Sequence, residues 1–381
     1  MADPIDVAIV GAGPVGAMVA ALCARDGLSV EVFEARAKPA EDARTLALSH
    51  ASRELLDSVK AWPASGSTPI VSIHISQKGG PGRTLIEAAE QGLPALGYTV
   101  SFASLSASLA RRLGEIGVPI RYGESCEDIV LAADSAQLHF GSGREVGARL
   151  LVLADGGANA SRIPGIVFRE KDYEQRAVVG KVATDRPHGG RAYERFTPQG
   201  PVALLPVGGQ FALVYTAAPL EADRLLALDD AAFLAELQSH FGDRAGGFTS
   251  IASRASFPLK LRAINTPVAL RTAIVGNAAQ ALHPIAGQGL NLGLRDAAVL
   301  AALVDSTPSA QLGSEAMLET YRASRARDTS RGVAFTDFLA SAFVDSRRLP
   351  TWGRGLALTV LDLFPPARRA FAERMIHGAS R

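Results

Sequence analysis

The sequence predicts an α/β protein in which a discontinuous, doubly wound domain carries an inserted, mainly antiparallel β-sheet domain and ends in helices. Three observations lead there. Residues 5–10, IDVAIV, read as a buried strand, followed at once by the turn Gly11-Ala12-Gly13-Pro14-Val15-Gly16 and an apolar helix that stops at Gly27. From about 177 to 262 the pattern changes to alternating runs such as AVVGKVAT, RAYERFT, VALLPV, FALVYTA and ASFPLKL, the period-two signature of strands. VALRTAIVGNAAQ, 268–280, then returns to the first domain as a buried strand.

The opening unit is completed by SVEVFE, 29–34, a second strand that ends in Glu34. A strand, GxGxxG turn, helix, strand and terminal acid make a Rossmann-like dinucleotide site. Gly11 serves the tight turn, Gly13 the close approach of backbone to pyrophosphate, and Gly16 the packing of helix on strand. Glu34 lies 18 residues beyond Gly16, where a carboxylate accepts hydrogen bonds from a ribose diol. Arg44, in DARTLALS, is a candidate for the pyrophosphate or the ring beyond it.

Further along, IVSIHIS (70–76) reads as a strand set apart from the first domain. Residues 102–117 read as a helix with Leu105, Leu109 and Leu113 on one stripe, and RYGESCEDIVL, AQLHF and REVGA as a meander. LLVLADGG (150–157) is a buried strand ending in Asp155-Gly156, and DDAAFLAELQSHFG (229–242) is a helix among the later strands. A helix from about 288 to 305 follows, and the remainder is helical through Trp352 to Met375. The expected division is 1–70, 98–176 and 264–335 for the nucleotide-binding domain, 71–97 and 177–263 for the inserted domain, and 336–381 for the C-terminal helices.

Composition narrows the function classes. With 381 residues, 48% hydrophobic and 20% charged, the chain can bury a large core. Its 39 basic and 38 acidic residues leave no surplus for nucleic-acid phosphates. Cys23 and Cys126 lie in neither disulfide nor metal spacing, which fits a reducing cytoplasm and no metal site. No apolar run reaches the length of a membrane span.

The longest distinctive stretch is GNAAQALHPIAGQGLNLGLRDA, 276–297. It reads as a strand end, a histidine–proline corner, a glycine-rich turn and a helix start, where backbone N–H groups can face a negatively polarised ligand. Three motifs now agree: the GxGxxG at 11–16, Asp155-Gly156, and Gly276-Asn277 with its HPxxGxGxN continuation. Together they resemble the class A flavoprotein aromatic hydroxylases over nearly the whole chain. DARTLALS (42–49), ERFTPQGPVALLPV (194–207) and the 276–297 stretch are similar to the ubiquinone-biosynthesis branch, in particular its hydroxylases of 2-polyprenyl-6-methoxyphenol.

The resemblance implies an FAD-binding domain of the para-hydroxybenzoate-hydroxylase type, with no separate NAD(P)H domain. FAD would meet Gly11, Gly13, Gly16, Glu34, Arg44, Asp155, Gly156, Asn277, Gly287, Gln288, Gly289, Leu290 and Asn291. Asn277 stands where the wider family carries Asp, and Asn159 where a Ser is usual, while Arg162 falls where a family Arg is expected. NAD(P)H would reduce the flavin, O2 would supply the oxygen, and a polyprenyl phenol would be hydroxylated. Negative charge on the reduced flavin would face the N–H groups of Gly289, Leu290 and Asn291. Pro284 would line the flavin face. His283 is either the base that takes the phenol proton or a structural residue fixing the corner.

The antiparallel domain would close an apolar pocket. The segment Trp352–Met375 would close the FAD domain or lie on a membrane surface as an amphipathic patch. The expected location is the cytoplasm, at the inner membrane, in a homo-oligomer or a ubiquinone-synthesis assembly. Another hydroxylase of the same pathway, a flavin reductase of the same superfamily and a non-catalytic flavin-binding subunit are the alternatives.

Overall fold

The computed structural model describes residues 4–24, 27–39, 42, 44–80, 82–283, 287–342 and 348–378. Its first sheet is centred on Ile5–Val10, which pairs in parallel with Val30–Glu34 on one side and Glu145–Leu153 on the other. Ile120–Tyr122 and Thr272–Ile274 extend the parallel order outward. Cys126–Leu131 and Ala136–Phe140 add an antiparallel meander to Glu145–Leu153.

Helices Pro14–Ala24, Phe102–Glu115 and Gln288–Ser306 pack on one face of this sheet, burying Val7, Ile9, Met18, Leu105, Leu109, Leu113, Leu294 and Leu300. Pro14–Ala24 is buried from Pro14 to Cys23, because it lies against the sheet with a helix on either side. That position explains why its sequence is apolar all round rather than along one stripe.

A second sheet of eight strands runs in the order Gln280–Ala281, Phe248–Ile264, Phe168–Thr184, Gln210–Ala217, Val202–Val207, Arg191–Phe196, Ser72–Gln77, Arg83–Glu87. Every neighbouring pair is antiparallel except Arg191–Phe196 with Ser72–Gln77. Its outer face buries Val178, Val202, Leu204, Leu213 and Tyr215 under helices Pro219–Ala227 and Asp230–Phe241. Its inner face turns toward the first sheet. A small third sheet joins Thr45–Ser49, Gly97–Ser101 and Thr68–Ile70.

Two expectations are corrected. The long strand Phe168–Thr184 begins well before 177, because residues 169–172 are exposed on both faces and offer no apolar alternation to read. The 268–280 run is not one strand. It turns back at Arg271 (φ 55°), gives Thr272–Ile274, and ends in a 3-10 turn, Gly276–Ala278. The C-terminal run is two helices, Arg348–Leu363 and Pro365–His377, parted at Phe364 because Pro365 cannot continue the ladder but suits a helix start.

Among the described residues, the first of these two helices is tied down along one side. A Cβ on Gly82 would lie 2.2 Å from the Gly355 carbonyl, so the two backbones touch there. Thr84 Oγ1 donates to the Leu358 carbonyl at 2.7 Å, and the Leu85 N–H donates to Asp362 at 3.1 Å. Arg368 pairs with Glu90 at 2.6 Å at the start of the next helix. Leu356, Val360, Leu363 and Phe364 fall on the opposite side and are exposed. Among the described residues no helix is long and apolar enough to cross a membrane.

Candidate active site

One cavity of about 1400 Å³ runs from the glycine turn of the first domain to the inner face of the second sheet. That exceeds the usual span of small-molecule sites, roughly 300–1,000 Å³, so it has room for a dinucleotide and a second ligand. Gly11, Gly13, Glu34, Arg44, Asp155, Gly156, Asn277, Gly287, Gln288, Gly289, Leu290 and Asn291 all line it, and so does His283. Gly16 does not border it. Pro284 lies outside the described residues.

The three glycines of the first turn differ in kind. A Cβ on Gly11 would sit 2.6 Å from the Ala154 carbonyl, and one on Gly16 would sit 2.1 Å from the Gly11 carbonyl. Both are closed against protein. A Cβ on Gly13 meets nothing within 4 Å. The protein therefore has no packing need for a glycine there; the open space belongs to whatever approaches the turn. Gly156 and Gly289 are open in the same way.

Glu34 is 6% exposed and accepts the Ala12 N–H at 2.9 Å. Arg36 adds its own N–H at 3.0 Å, Nε at 2.7 Å and a terminal nitrogen at 2.9 Å. Burial would raise this carboxyl, but the bonds from Arg36 and Ala12 outweigh it and hold the group below its ordinary value. Its lone pairs are then all in use. A ribose diol reaches Glu34 only if the half-exposed Arg36 fork swings off the carboxylate. Arg44 is likewise engaged, its fork on Asp42 (Nε to Oδ2 2.8 Å) with the guanidinium over the Phe102 ring.

Asp155 folds its own loop. Its carboxylate accepts the Gly157 N–H at 2.9 Å, the Asn159 N–H at 2.9 Å and the Asn159 side-chain amide at 2.7 Å. Asn159 thus caps the carboxylate from inside the loop. Arg162 also borders the cavity, its guanidinium donating to the carbonyls of Cys126 and Glu127 at 2.9 and 2.6 Å.

At the other end, the helix Gln288–Ser306 starts behind Gly287, which has φ 60° and provides no side-chain cap. The N–H groups of the first turn, through Leu290, are left over by the helical ladder and border the cavity. Asn291 comes one residue too late to offer its N–H. Its side chain is spent inside the protein instead: Oδ1 accepts the Ser49 N–H at 2.8 Å and the Ser52 hydroxyl at 2.7 Å. Nδ2 donates to the carbonyls of Gly287 at 2.8 Å and Ala47 at 3.1 Å. Asn291 therefore pins the glycine turn to the strand Thr45–Ser49. Asn277 is exposed on the cavity, and no described residue bonds its side chain.

Behind Asn277 lies a buried ion cluster that motif spacing does not disclose. Asp296 accepts the Gly276 N–H at 3.1 Å, the Gln280 amide at 2.7 Å and Arg325 Nε at 2.7 Å. Arg325 also donates to Asp328 at 2.8 Å, which Arg295 meets at 2.8 Å. Asp296, Arg325 and Asp328 are each 2% exposed. This cluster fixes the 3-10 turn that presents Asn277.

His283 is 1% exposed, its ring edge-on to Tyr173 with centroids 5.2 Å apart. Burial pushes its pKa down to about 4, so it is neutral at ordinary pH and a weak base. Two more titratable groups on the cavity are strongly shifted by burial: the Cys126 thiol, raised to about 11, and Glu194, which motif matching did not single out as a site residue. Glu194 stands on Arg191–Phe196, and burial raises its carboxyl to about 7.

An open glycine turn, an uncapped helix start aimed across the same cavity, and an unspent amide between them define a flavin-binding α/β oxidoreductase. The FAD binding domain family matches residues 4–336. The chain is 36% identical to a ubiquinone hydroxylase, UbiL, of Rhodospirillum rubrum, covering 96% of this chain and 88% of the relative. It is 33% identical to the 3-demethoxyubiquinol 3-hydroxylase of Escherichia coli, covering 91% and 92%. Its fold matches that of p-nitrophenol 4-monooxygenase PnpA from Pseudomonas putida, with TM-score 0.79, 18% identity and 98% of each chain covered. The chain belongs to the FAD binding domain family, among its class A flavoprotein hydroxylases, and is an FAD-dependent monooxygenase.

Proposed function

We propose that this enzyme hydroxylates the ring of a prenylated phenol in ubiquinone biosynthesis, with electrons from NAD(P)H and oxygen from O2. The observation that carries this is the cavity's second half. Beyond the nucleotide end it is walled by Ile73, Ile75, Ile86, Leu205, Val214 and Phe257, an apolar surface suited to an aromatic ring with an isoprenoid tail. The relatives named above are, by their names, a ubiquinone hydroxylase and a 3-demethoxyubiquinol 3-hydroxylase, which supports the same substrate class here.

When bound, FAD supplies the electron store and the activation of oxygen that side chains lack. Gly13 would lie under the pyrophosphate and Glu34 beside the ribose. The N–H groups of Gln288, Gly289 and Leu290 would stabilise negative charge on the reduced ring. Asn277 would meet the chain between them. The inner face of the second sheet excludes water from the ring being hydroxylated.

Holoprotein supplied with a short-chain prenylated methoxyphenol is expected to consume O2 and NAD(P)H in a substrate-dependent way and to return a product one oxygen heavier. Recovery of the phenol unchanged while NAD(P)H is oxidised would move the chain to the reductases of its superfamily.

The C-terminal helices support a surface contact with lipid. Leu356, Val360, Leu363 and Phe364 are exposed at helical spacing, and Phe338, also exposed, borders the cavity. A lipid substrate would enter there without crossing water. Each apolar side chain buried in the interface contributes about 1.5–3 kcal/mol, so the pair Leu363→Asp and Phe364→Asp is expected to lower binding to anionic vesicles more than about tenfold. Equal flotation of both proteins would discard the contact.

A further inference from the structure

Glu194 is a carboxylate set alone in an apolar wall. On its strand, Tyr193 packs into the outer core and Arg195 donates to Ser76 at 3.2 Å, so the alternating residues Ala192, Glu194 and Phe196 face the cavity. Glu194 pairs with Ile75 on one side and with Ala203 on the other. The same row continues through Val214, Val179 and Ala255. No described residue donates a hydrogen bond to its carboxylate.

Charged groups are distant. Arg191 and Arg195 lie on the other face of the strand; the helix Glu315–Ala342 brings Phe335, and the C-terminal helices bring Leu358, Leu361 and Phe371, to the cavity. Lys181, also on the cavity, is three strands away, about 14 Å at the usual strand spacing. Lys260 lies one strand farther than Lys181. Glu194 is only partly exposed and meets the cavity with no described protein donor, so the donor for its carboxylate comes from the ligand that occupies the cavity.

We propose that Glu194 is the catalytic base, its carboxylate accepting the proton of the substrate's phenolic hydroxyl. This rests on the phenol-hydroxylase function proposed above. In the step the phenolic O–H bond breaks, its electron pair stays on the ring oxygen, and the proton forms a new O–H bond on Glu194. A phenolate ring is more nucleophilic toward an electrophilic oxygen. As the ring regains aromaticity, the hydroxylated carbon releases its hydrogen as a proton and the ring oxygen recovers one. The proton held on Glu194 leaves with the water that the NAD(P)H- and O2-dependent reaction forms, and the carboxylate is restored.

Burial raises the carboxyl to about 7. A base is most effective when its pKa lies near the working pH. The active form is the ionised one, so kcat/KM rises with pH through about 7 and then levels. His283, neutral throughout that window, does not produce such a limb.

The test uses holoenzyme carrying Glu194→Gln, which keeps the shape and removes the proton acceptor; thermal melting and flavin content report that it has folded. Two readouts are expected to change. The pH limb near 7 disappears and turnover of the phenol falls about 10²–10⁴-fold. Without NAD(P)H, wild type binds 2-methoxy-6-prenylphenol in preference to its O-methyl ether, and that preference grows as pH rises from 6 to 8. In the variant the preference is smaller and independent of pH, and Glu194→Asp restores part of the pH dependence. A variant that keeps the limb, or keeps the wild-type preference at both pH values, overturns the assignment. If wild type hydroxylates no phenol, the proposed function fails, while the binding arm still decides whether Glu194 recognises the hydroxyl.

Discussion

A Gly13→Asp chain is expected to fold with the melting temperature of the apoprotein and to lose FAD affinity by at least about a hundredfold. The first half follows from geometry: a Cβ at Gly13 meets no protein atom within 4 Å. The second follows from charge, since a carboxylate set against a pyrophosphate costs several kcal/mol, and about 1.4 kcal/mol is a factor of ten. Gly11→Ala makes the contrasting control. Its Cβ would press to 2.6 Å from the Ala154 carbonyl on a residue with φ 107°, so it destabilises the apoprotein itself. Calorimetric melting of the apo forms, followed by flavin titration, separates the two. A Gly13→Asp protein that binds FAD as wild type does would mean that the cofactor does not lie over this turn.

Arg325→Met is expected to cost about 3–5 kcal/mol of stability, the usual result of removing one member of a buried ion pair. Arg325 is 2% exposed and holds Asp296 at 2.7 Å and Asp328 at 2.8 Å, so its loss strands the buried Asp296 carboxylate and leaves Asp328 with Arg295 alone. Adding Asp296→Asn should recover part of the loss, because the double variant leaves one fewer stranded charge. Asp296 also receives the Gly276 N–H at 3.1 Å, so the single variant should loosen the turn that presents Asn277 and weaken flavin binding as well. Denaturant titration of the apoprotein measures the first effect. A loss below about 1 kcal/mol would show that the cluster is not holding this turn.

Much of the nucleotide end was legible because its causes are local. Gly11 and Gly16 are demanded by atoms within the first turn and by Ala154 at the next strand's end. Glu34 stands at a strand terminus that the turn itself faces, and its bond from the Ala12 N–H is part of that unit. The alternation from 177 onward marked strands because each has one face on the outer core and one on the cavity. Where both faces are exposed, as in residues 169–172, the same periodicity vanishes and the strand went unread.

By itself, then, the sequence determined a flavin-type nucleotide site followed by an antiparallel sheet, since backbone sterics and side-chain alternation act over a few residues. The tertiary structure decided what individual side chains do. Arg36 takes up the lone pairs of Glu34, and Asn291, spaced like a cofactor ligand, is consumed by Ser49, Ser52, Ala47 and Gly287. Asp296 and Arg325 meet only because two helices pack side by side. Glu194 is one charged residue among many in sequence. It becomes exceptional where Ile75 and Ala203 flank it on the neighbouring strands and Val214 and Val179 continue the apolar row, with no described donor to its carboxylate.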